Sequence, residues 1–389
     1  MLLLSLSIYL IYLISYRSAN NIRSHFLGHW RGERFVRPHR VCSSELAAMT
    51  IHYNAGEMNE LSVLFKWRGT IMPMVLGRPV IWLLIALHCG LLYVHRRRED
   101  IELPKLPWKV VAVPQALLTF FVVFFSGSCY SRYYTLYTKC TGVAGALMCW
   151  VGLLRVFFND ASPEQLWNLS RHAIASVYVH YFTLAGSASG GGKLMTETEW
   201  SVVMARRMLS AEERRVVDSY QGFKPFLLQE WALQTVNEYL ATDAKRTVGA
   251  GIAPFMAQAL ALRKNCAETV NLLAQPVPFP YFHVINFMLS VNLVLVAYSL
   301  TFIDSIMTVP LFFIVCLVLQ GLKECAVALA DPFGGDAVDF DVDLFLANIL
   351  SNARALIAKD AAFQPGTHMP CPPLGKEELS GDPSGPAPY

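Results

Sequence analysis

Four long apolar segments dominate the pattern of hydrophobic and polar positions along this chain. Each holds about 20 largely apolar residues, the length that an α-helix needs to cross the hydrocarbon core of a bilayer. They cover residues 74–94, 108–126, 278–302 and 308–330. Pro114 lies inside the second segment, where we expect no more than a kink, because packed neighbours can satisfy the freed backbone groups. The pattern predicts four membrane-spanning helices in two pairs.

A less apolar stretch of about 150 residues separates the two pairs. Within it, residues 141–158 and 172–185 are apolar but short or interrupted by polar residues, and we expect buried helices near the membrane rather than spans. Residues 197–220 and 225–241 have helical patterning in a more polar context. The chain shows no internal repeat of the inverted kind found in secondary transporters. The predicted fold class is therefore an all-α membrane protein with four transmembrane helices and a further helical region.

The two ends of the chain differ in composition from the part between them. Residues 1–48 begin with an apolar run too short for a comfortable span, followed by several arginines, and we interpret them as an N-terminal extension and candidate targeting segment. Residues 364–389 contain seven prolines and are expected to be disordered. These boundaries leave residues 49–363 as the main domain.

The composition supports a membrane protein and argues against several other functions. Hydrophobic residues make up 54% of the chain and charged residues only 16%, whereas soluble domains carry about a quarter charged residues. The net charge of +3, without a basic stripe, argues against a nucleic-acid partner. The nine cysteines have no metal-binding or disulfide spacing, and no catalytic constellation of side chains suggests an enzyme. His172 and His180 have no acidic partner in helical register and are expected to be satisfied core or interface residues.

An acidic segment, residues 331–341, directly follows the last apolar run. Five aspartates lie at positions 331, 336, 339, 341 and 343. Pro332 and the Gly334-Gly335 pair should end the helix and leave its last carbonyls available. Carboxylates and carbonyls are the oxygen ligands that calcium prefers, and the negative end of a helix dipole also favours a cation. From this chemistry alone a calcium site and a solvated acidic loop both stay open.

An aromatic face on the second apolar segment is the other candidate site. Phe120 and Phe124 are four residues apart and therefore share one helix face, which continues to Ala116. Such a stripe can face lipid or another helix, or it can form an apolar ring around a pore that gates by dewetting. Phenyl edges carry partial positive charge, which would favour anions in that ring. Arg132, just beyond, could draw anions inward or extend to the membrane interface.

Taken in order, several motifs resemble the bestrophin family of anion channels, over roughly residues 49–358. The stretch Met49-Thr-Ile-His-Tyr53 is similar to the family's opening, and Trp67-Arg-Gly-Thr70 to its Trp-Arg-Gly-Ser motif. The matching stretches further along are Ser131-Arg-Tyr-Tyr134 after the second apolar segment, Leu209-Ser-Ala-Glu-Glu213, Val277-Pro-Phe-Pro-Tyr281 and Asp331-Pro-Phe-Gly334. The polar run Ser126-Gly-Ser-Cys129 looks closer to algal and protist members.

The resemblance implies a pentamer with four membrane helices per subunit, both termini in the cytosol and one axial pore. It implies a calcium-regulated channel for chloride, with bicarbonate as a second ion, in the plasma membrane or an organelle membrane. By position, the pore neck consists of Ala116, Phe120 and Phe124. The regulatory calcium would be held by the side chains of Asp336 and Asp339 and by carbonyls of Ala328, Asp331 and, from a neighbouring subunit, Met58.

Two further expectations follow. Gly335, Ala337 and Val338 interrupt the family's acidic run, so the affinity for calcium should be reduced. The alternative functions are a secondary transporter of a small anion, which predicts polar residues at mid-membrane on broken helices, and a membrane scaffold without transport.

Overall fold

The computed structural model describes residues 63, 66–67, 69–97, 104–185, 189–242, 251–303, 305–333 and 338–358. These residues form eleven helices. The helices are α1 (Ile71–Leu76), α2 (Pro79–Arg97), α3 (Trp108–Phe157), α4 (Pro163–Thr183), α5 (Glu197–Ala205), α6 (Ala211–Ser219), α7 (Lys224–Thr242), α8 (Ala253–Ala274), α9 (Phe279–Thr301), α10 (Thr308–Leu329) and α11 (Val342–Ala358).

Four of the described helices, α2, α3, α9 and α10, are long and apolar enough to cross a membrane. This confirms the four spans and the all-α fold class predicted from the sequence. Their facing sides share one core, which includes Leu118, Phe125, Leu289 and Phe312, each at most 2% exposed. We call this cluster the membrane core.

The start of the first predicted span divides into two helices in the structure. Thr70 caps α1, because its hydroxyl accepts a hydrogen bond from the backbone N–H of Met72 at 3.3 Å. Gly69, just before it, has a φ of 71°, a conformation that glycine adopts without strain. These local roles account for the glycine and the threonine of the stretch Trp67-Arg-Gly-Thr70. Gly77 then ends α1, and α2 begins at Pro79, a residue well suited to a first helical turn.

Helix α3 is much longer than the sequence pattern indicated. It runs without a break over 50 residues, about 75 Å at 1.5 Å per residue. The prediction of a separate helix over residues 141–158 was wrong, because that segment is the second half of α3. The reason is that no proline interrupts residues 127–140 and the second half has a core of its own to pack against.

That second core, which we call the distal core, is built around the second half of α3. The second half of α3 packs there against α4, α8 and α11, and α4 also packs against α7. Trp200, Tyr178 and Phe255 are among its fully buried side chains. Residues 172–185 were predicted to be a buried helix, and α4 confirms this over most of that range. The predicted helix at 225–241 is α7, whereas residues 197–220 form two helices separated at Arg207, whose φ is 57°.

Candidate functional site

The residues of the predicted neck lie on the exposed face of α3. Phe120 is 58% exposed and Phe124 60% exposed, and their ring centroids are 5.0 Å apart. Ala116 is exposed on the same side. The opposite face of this part of α3 packs into the membrane core through Leu118, among others. Among the residues that the structure describes, therefore, the aromatic face has no core to pack against.

The same face of α3 continues beyond the aromatic residues and becomes polar. Gly127, Ser131, Tyr134, Thr138 and Thr141 are all exposed and follow one another at helical spacing. The Thr138 hydroxyl donates to the carbonyl of Tyr134 at 3.0 Å. One helix thus presents a continuous exposed line, apolar beside the membrane core and hydroxyl-rich beside the distal core.

The acidic segment begins where α10 ends at Leu329. The backbone N–H of Phe340 donates to the carbonyl of Pro332 at 3.0 Å, which brings the described residues on the two sides of positions 334–337 together. We call residues 330–333 and 338–340 the two arms of the acidic segment. Asp339 is only 2% exposed, and Asp331 is half-buried directly after the helix. The two aspartates therefore stand on the two arms of the acidic segment.

The remaining aspartates have different positions. Asp341 caps α11, because its carboxylate accepts from the backbone N–H of Leu344 at 2.9 Å. Asp343 lies in the first turn of the same helix. The structure thus separates these two from the calcium ligands named by the resemblance. Two of those ligands, Asp336 and Met58, lie outside the described residues.

Ala328, a carbonyl ligand implied by the resemblance, is buried in the last turn of α10. Its oxygen accepts a long 3.4 Å hydrogen bond from the Asp331 N–H and is also an acceptor of the Ala330 N–H, which it shares with two other carbonyls. Within the described ranges, no group of three or more histidine, cysteine, aspartate or glutamate side chains could hold a metal. Apart from Asp341, which caps α11, the described part of the acidic segment accordingly offers two carboxylates and helix-end carbonyls, and no complete side-chain cage.

Arg132 points into the protein rather than along the exposed face of α3. Its guanidinium donates to the carbonyl of Ala330 at 2.8 Å, to that of Gln275 at 2.6 Å, and to that of Leu272. It also interacts electrostatically with Asp331. These contacts give the side chain a structural role that was not considered from the sequence, whereas the two roles considered there stay predictions.

The aromatic residues next to Arg132 contact the second arm of the acidic segment, residues 338–340. The Tyr133 hydroxyl donates to the carbonyl of Val338 at 3.2 Å, and its ring lies 4.8 Å from that of Phe340. Tyr137, one turn further along, lies 5.9 Å from the same ring. Sequence reasoning identified the Arg-aromatic-aromatic motif but missed these partners, which are about 200 residues away in the chain.

One charged cluster lies against the membrane core. Glu324 in α10 is 6% exposed and accepts a 2.7 Å hydrogen bond from Arg78, at the start of α2. Lys323 also contacts it at 2.8 Å. Because two cations compensate the carboxylate, its burial there is electrostatically tolerable.

Both histidines of α4 are buried, as expected for core residues, but their hydrogen-bond partners differ. His172 has an acidic partner after all, because its Nε2 lies 2.9 Å from Glu213, a residue on α6. Burial alone would raise the pKa of the Glu213 carboxyl, but hydrogen bonds from Arg171, the Ser210 backbone and His172 together lower it. The expected satisfied environment was wrong for His180, since neither of its ring nitrogens has a hydrogen-bond partner among the described residues.

Comparison with known proteins gives these elements a family. The sequence pattern of the family described as "Bacterial/Fungal Bestrophin protein" matches residues 52–355, more than three quarters of the chain. The chain belongs to the bestrophin family. Bestrophin membership makes it a multi-pass membrane protein of a channel family, not an enzyme, and implies an anion channel. The closer likeness to algal and protist members stays a prediction.

Solved structures show the same fold. A bacterial bestrophin homologue from Klebsiella pneumoniae, solved by Zn-SAD phasing, superposes with a TM-score of 0.63 at 15% identity, covering 72% of this chain and 97% of that chain. A variant of the same protein gives the same values. No curated protein matches the chain. At such low identity the likeness shows the bestrophin fold and nothing finer.

Proposed function

We propose that the chain is one subunit of a homo-oligomeric, pentameric anion channel whose current is regulated by calcium. The observation that carries this proposal is the aromatic face of Phe120 and Phe124, which is exposed on the helix that runs through both cores. The pentamer and the anion preference come from the family. Chloride is the proposed main ion, and bicarbonate is the second.

Around a five-fold axis, five copies of this face would form an apolar constriction. Such a constriction impedes conduction when it dewets, and it passes weakly hydrated ions most easily. Ring edges that point inward present partial positive charge to an anion. Ala116 is smaller than the phenylalanines, so its level of the neck would be the widest. The exposed hydroxyl-bearing residues of α3 beside the distal core would rehydrate the ion after it passes the neck.

The residues of the acidic segment fit a regulatory calcium site of low affinity. Their donors are all oxygen atoms, which calcium prefers, and the carboxylate of Asp339 is almost fully buried. Three features weaken the site, namely the small number of carboxylates, the apolar residues at 337 and 338, and the positive charge of Arg132 beside Asp331. Calcium would act by binding better to the conformation in which the neck is open.

Paired substitutions in the neck test the pore assignment. Phe120→Ala with Phe124→Ala should change the relative permeability of anions or the gating, because it widens and hydrates the constriction. The matched control is Leu311→Ala with Ile314→Ala, two exposed apolar residues of α10 that are 49% and 54% exposed. Currents from reconstituted protein that are the same for both pairs would leave the phenylalanines as packing residues.

A second pair of substitutions tests calcium regulation. Asp336→Ala with Asp339→Ala should abolish the difference between currents at high and low calcium. Asp343→Ala is the control, because this aspartate lies in the first turn of α11. Unchanged calcium dependence in the double variant would remove the acidic segment from the account.

The alternative is a secondary transporter of a small anion, in the plasma membrane or an organelle membrane as for the channel. It gains some support from Asn292, a buried amide inside α9 with no hydrogen-bond partner among the described residues. The buried His88 instead ties helices together, because it contacts the Ala297 carbonyl at 2.8 Å and the Thr308 hydroxyl at 3.2 Å. Unitary current steps would exclude the transporter, whereas saturable flux without steps would favour it.

A further inference from the structure

Arg132 lies at the boundary between the two cores. On helix α3, Cys129 is the last residue of the membrane core and Leu136 the first of the distal core. Arg132 stands between them and is half-buried. A side chain at this place can contact elements of both halves at once.

The three carbonyls that Arg132 contacts belong to the ends of two helices. Leu272 is in the last turn of α8, and Gln275 is its C-cap. Ala330 is the C-cap of α10. Carbonyls at helix ends have no partner within the helix and carry the negative end of the helix dipole, so a guanidinium that binds several of them makes strong, charge-assisted hydrogen bonds.

The acidic segment begins directly after the end of α10. Arg132 holds the first arm at Ala330, and the adjacent Tyr133 holds the second arm at Val338. Two consecutive residues of α3 thus contact both arms of the acidic segment, which the backbone hydrogen bond between Phe340 and Pro332 joins. A displacement of the acidic segment must therefore either move α3 or break these contacts.

We propose that Arg132 is the positioning residue that couples the acidic segment to the neck. This inference rests on the proposed channel function. From Arg132 to Phe124 the helix is continuous, and the rise over these eight residues is about 12 Å. A rigid helix transmits a shift over that distance, and because α8 is bound by the same guanidinium, the distal half is coupled to the same movement.

The test compares Arg132→Gln with Arg132→Lys and with Lys139→Gln. Lysine keeps the charge but lacks the planar fork that reaches several carbonyls, so it should act as a partial replacement. Lys139 is a cation on the same helix whose 2.6 Å partner is the side chain of Glu268 rather than a helix end. It controls for the loss of a positive charge from α3.

The first measurement is hydrogen exchange of the purified channel without calcium. In Arg132→Gln, amides of residues 271–275 and 328–331 should exchange about tenfold faster, the factor that follows from losing one charge-assisted hydrogen bond. Arg132→Lys should be intermediate and Lys139→Gln unchanged. Unaltered exchange at either helix end in Arg132→Gln overturns the proposal, and if that variant does not assemble, unaltered exchange in Arg132→Lys does so.

The second measurement is the ratio of anion currents at high and low calcium. We expect Arg132→Gln to conduct, but with this ratio reduced at least about fivefold toward unity, the lower end of usual coupling effects. A wild-type ratio in Arg132→Gln overturns the coupling. If the wild-type currents do not depend on calcium, the proposed regulation is refuted. Hydrogen exchange then tests only whether Arg132 positions the ends of α8 and α10.

Discussion

The buried imidazole of His180 gives a prediction whose size follows from the structure. His180 lies in α4 in the distal half and is 0% exposed. Its ring contacts the rings of Tyr181 and Phe223 at centroid distances of 5.3 and 6.2 Å. Burial lowers the pKa of His180 to about 3. The side chain is therefore neutral in the folded protein throughout the physiological range.

The sign of the pH effect follows from linkage. The unfolded chain, with a histidine pKa of about 6.5, binds a proton at pH values where the folded chain does not, so acid favours unfolding. The contribution of His180 is fully present above pH 6.5 and is lost progressively from there down to about pH 3. Between pH 7.5 and pH 5 the loss is about 2 kcal/mol in the free energy of unfolding for each subunit.

The assay is chemical denaturation in detergent micelles at pH 7.5 and pH 5, with wild type and His180→Leu. The substitution removes a buried N–H that has no acceptor, so the variant should be as stable as wild type or more so at pH 7.5. Its loss of stability at pH 5 should be smaller than that of wild type by about 2 kcal/mol. His283→Leu, which changes an exposed histidine, is the matched control variant.

Two results would refute this reasoning. The first is an equal loss of stability between pH 7.5 and pH 5 in wild type and His180→Leu. The second is a strong destabilisation of His180→Leu at pH 7.5, which would mean that the imidazole makes an essential hydrogen bond in the folded protein.

Two further stability predictions use the same denaturation assay. Glu213→Gln should lower the free energy of unfolding by about 2 kcal/mol, because its hydrogen bonds are charge-assisted, whereas Glu212→Gln, an exposed neighbour, should change little. Equal effects would contradict a structural role of the ion pair. Gly145→Ala should stabilise by up to about 1 kcal/mol through helix propensity, because nothing lies within 4 Å of the added methyl. Gly142→Ala should destabilise instead, since its methyl would lie 2.8–2.9 Å from Asn265, and a gain there would mean that α3 and α8 are less closely packed than described.

The sequence contained the four candidate spans but not the length of α3. Runs of apolar residues are sufficient to predict four spans, because the bilayer imposes a length on each. The boundary of α3 was hidden because the helix leaves one core at Cys129 and enters another at Leu136, so its hydrophobic pattern changes while its backbone does not. Periodicity reports the environment of a segment rather than its continuity.

The candidate site was predictable in its chemistry and not in its contacts. The residue types of the acidic segment and the spacing of Phe120 and Phe124 were visible in the sequence. The capping role of Asp341, by contrast, depends on where α11 begins. The partners of Arg132 lie 140 to 198 residues away, and the partner of His172 lies 41 residues away on another helix, distances at which no local pattern remains.

The central claim is that this chain forms a calcium-regulated anion channel. The most direct test is patch-clamp recording of the expressed chain, with calcium buffered at two levels and the main anion exchanged while the cations stay the same. We predict stepwise currents whose reversal potential follows the anion gradient and whose size increases with calcium. Currents that follow the cation gradient, or a complete absence of current at both calcium levels, would contradict the account.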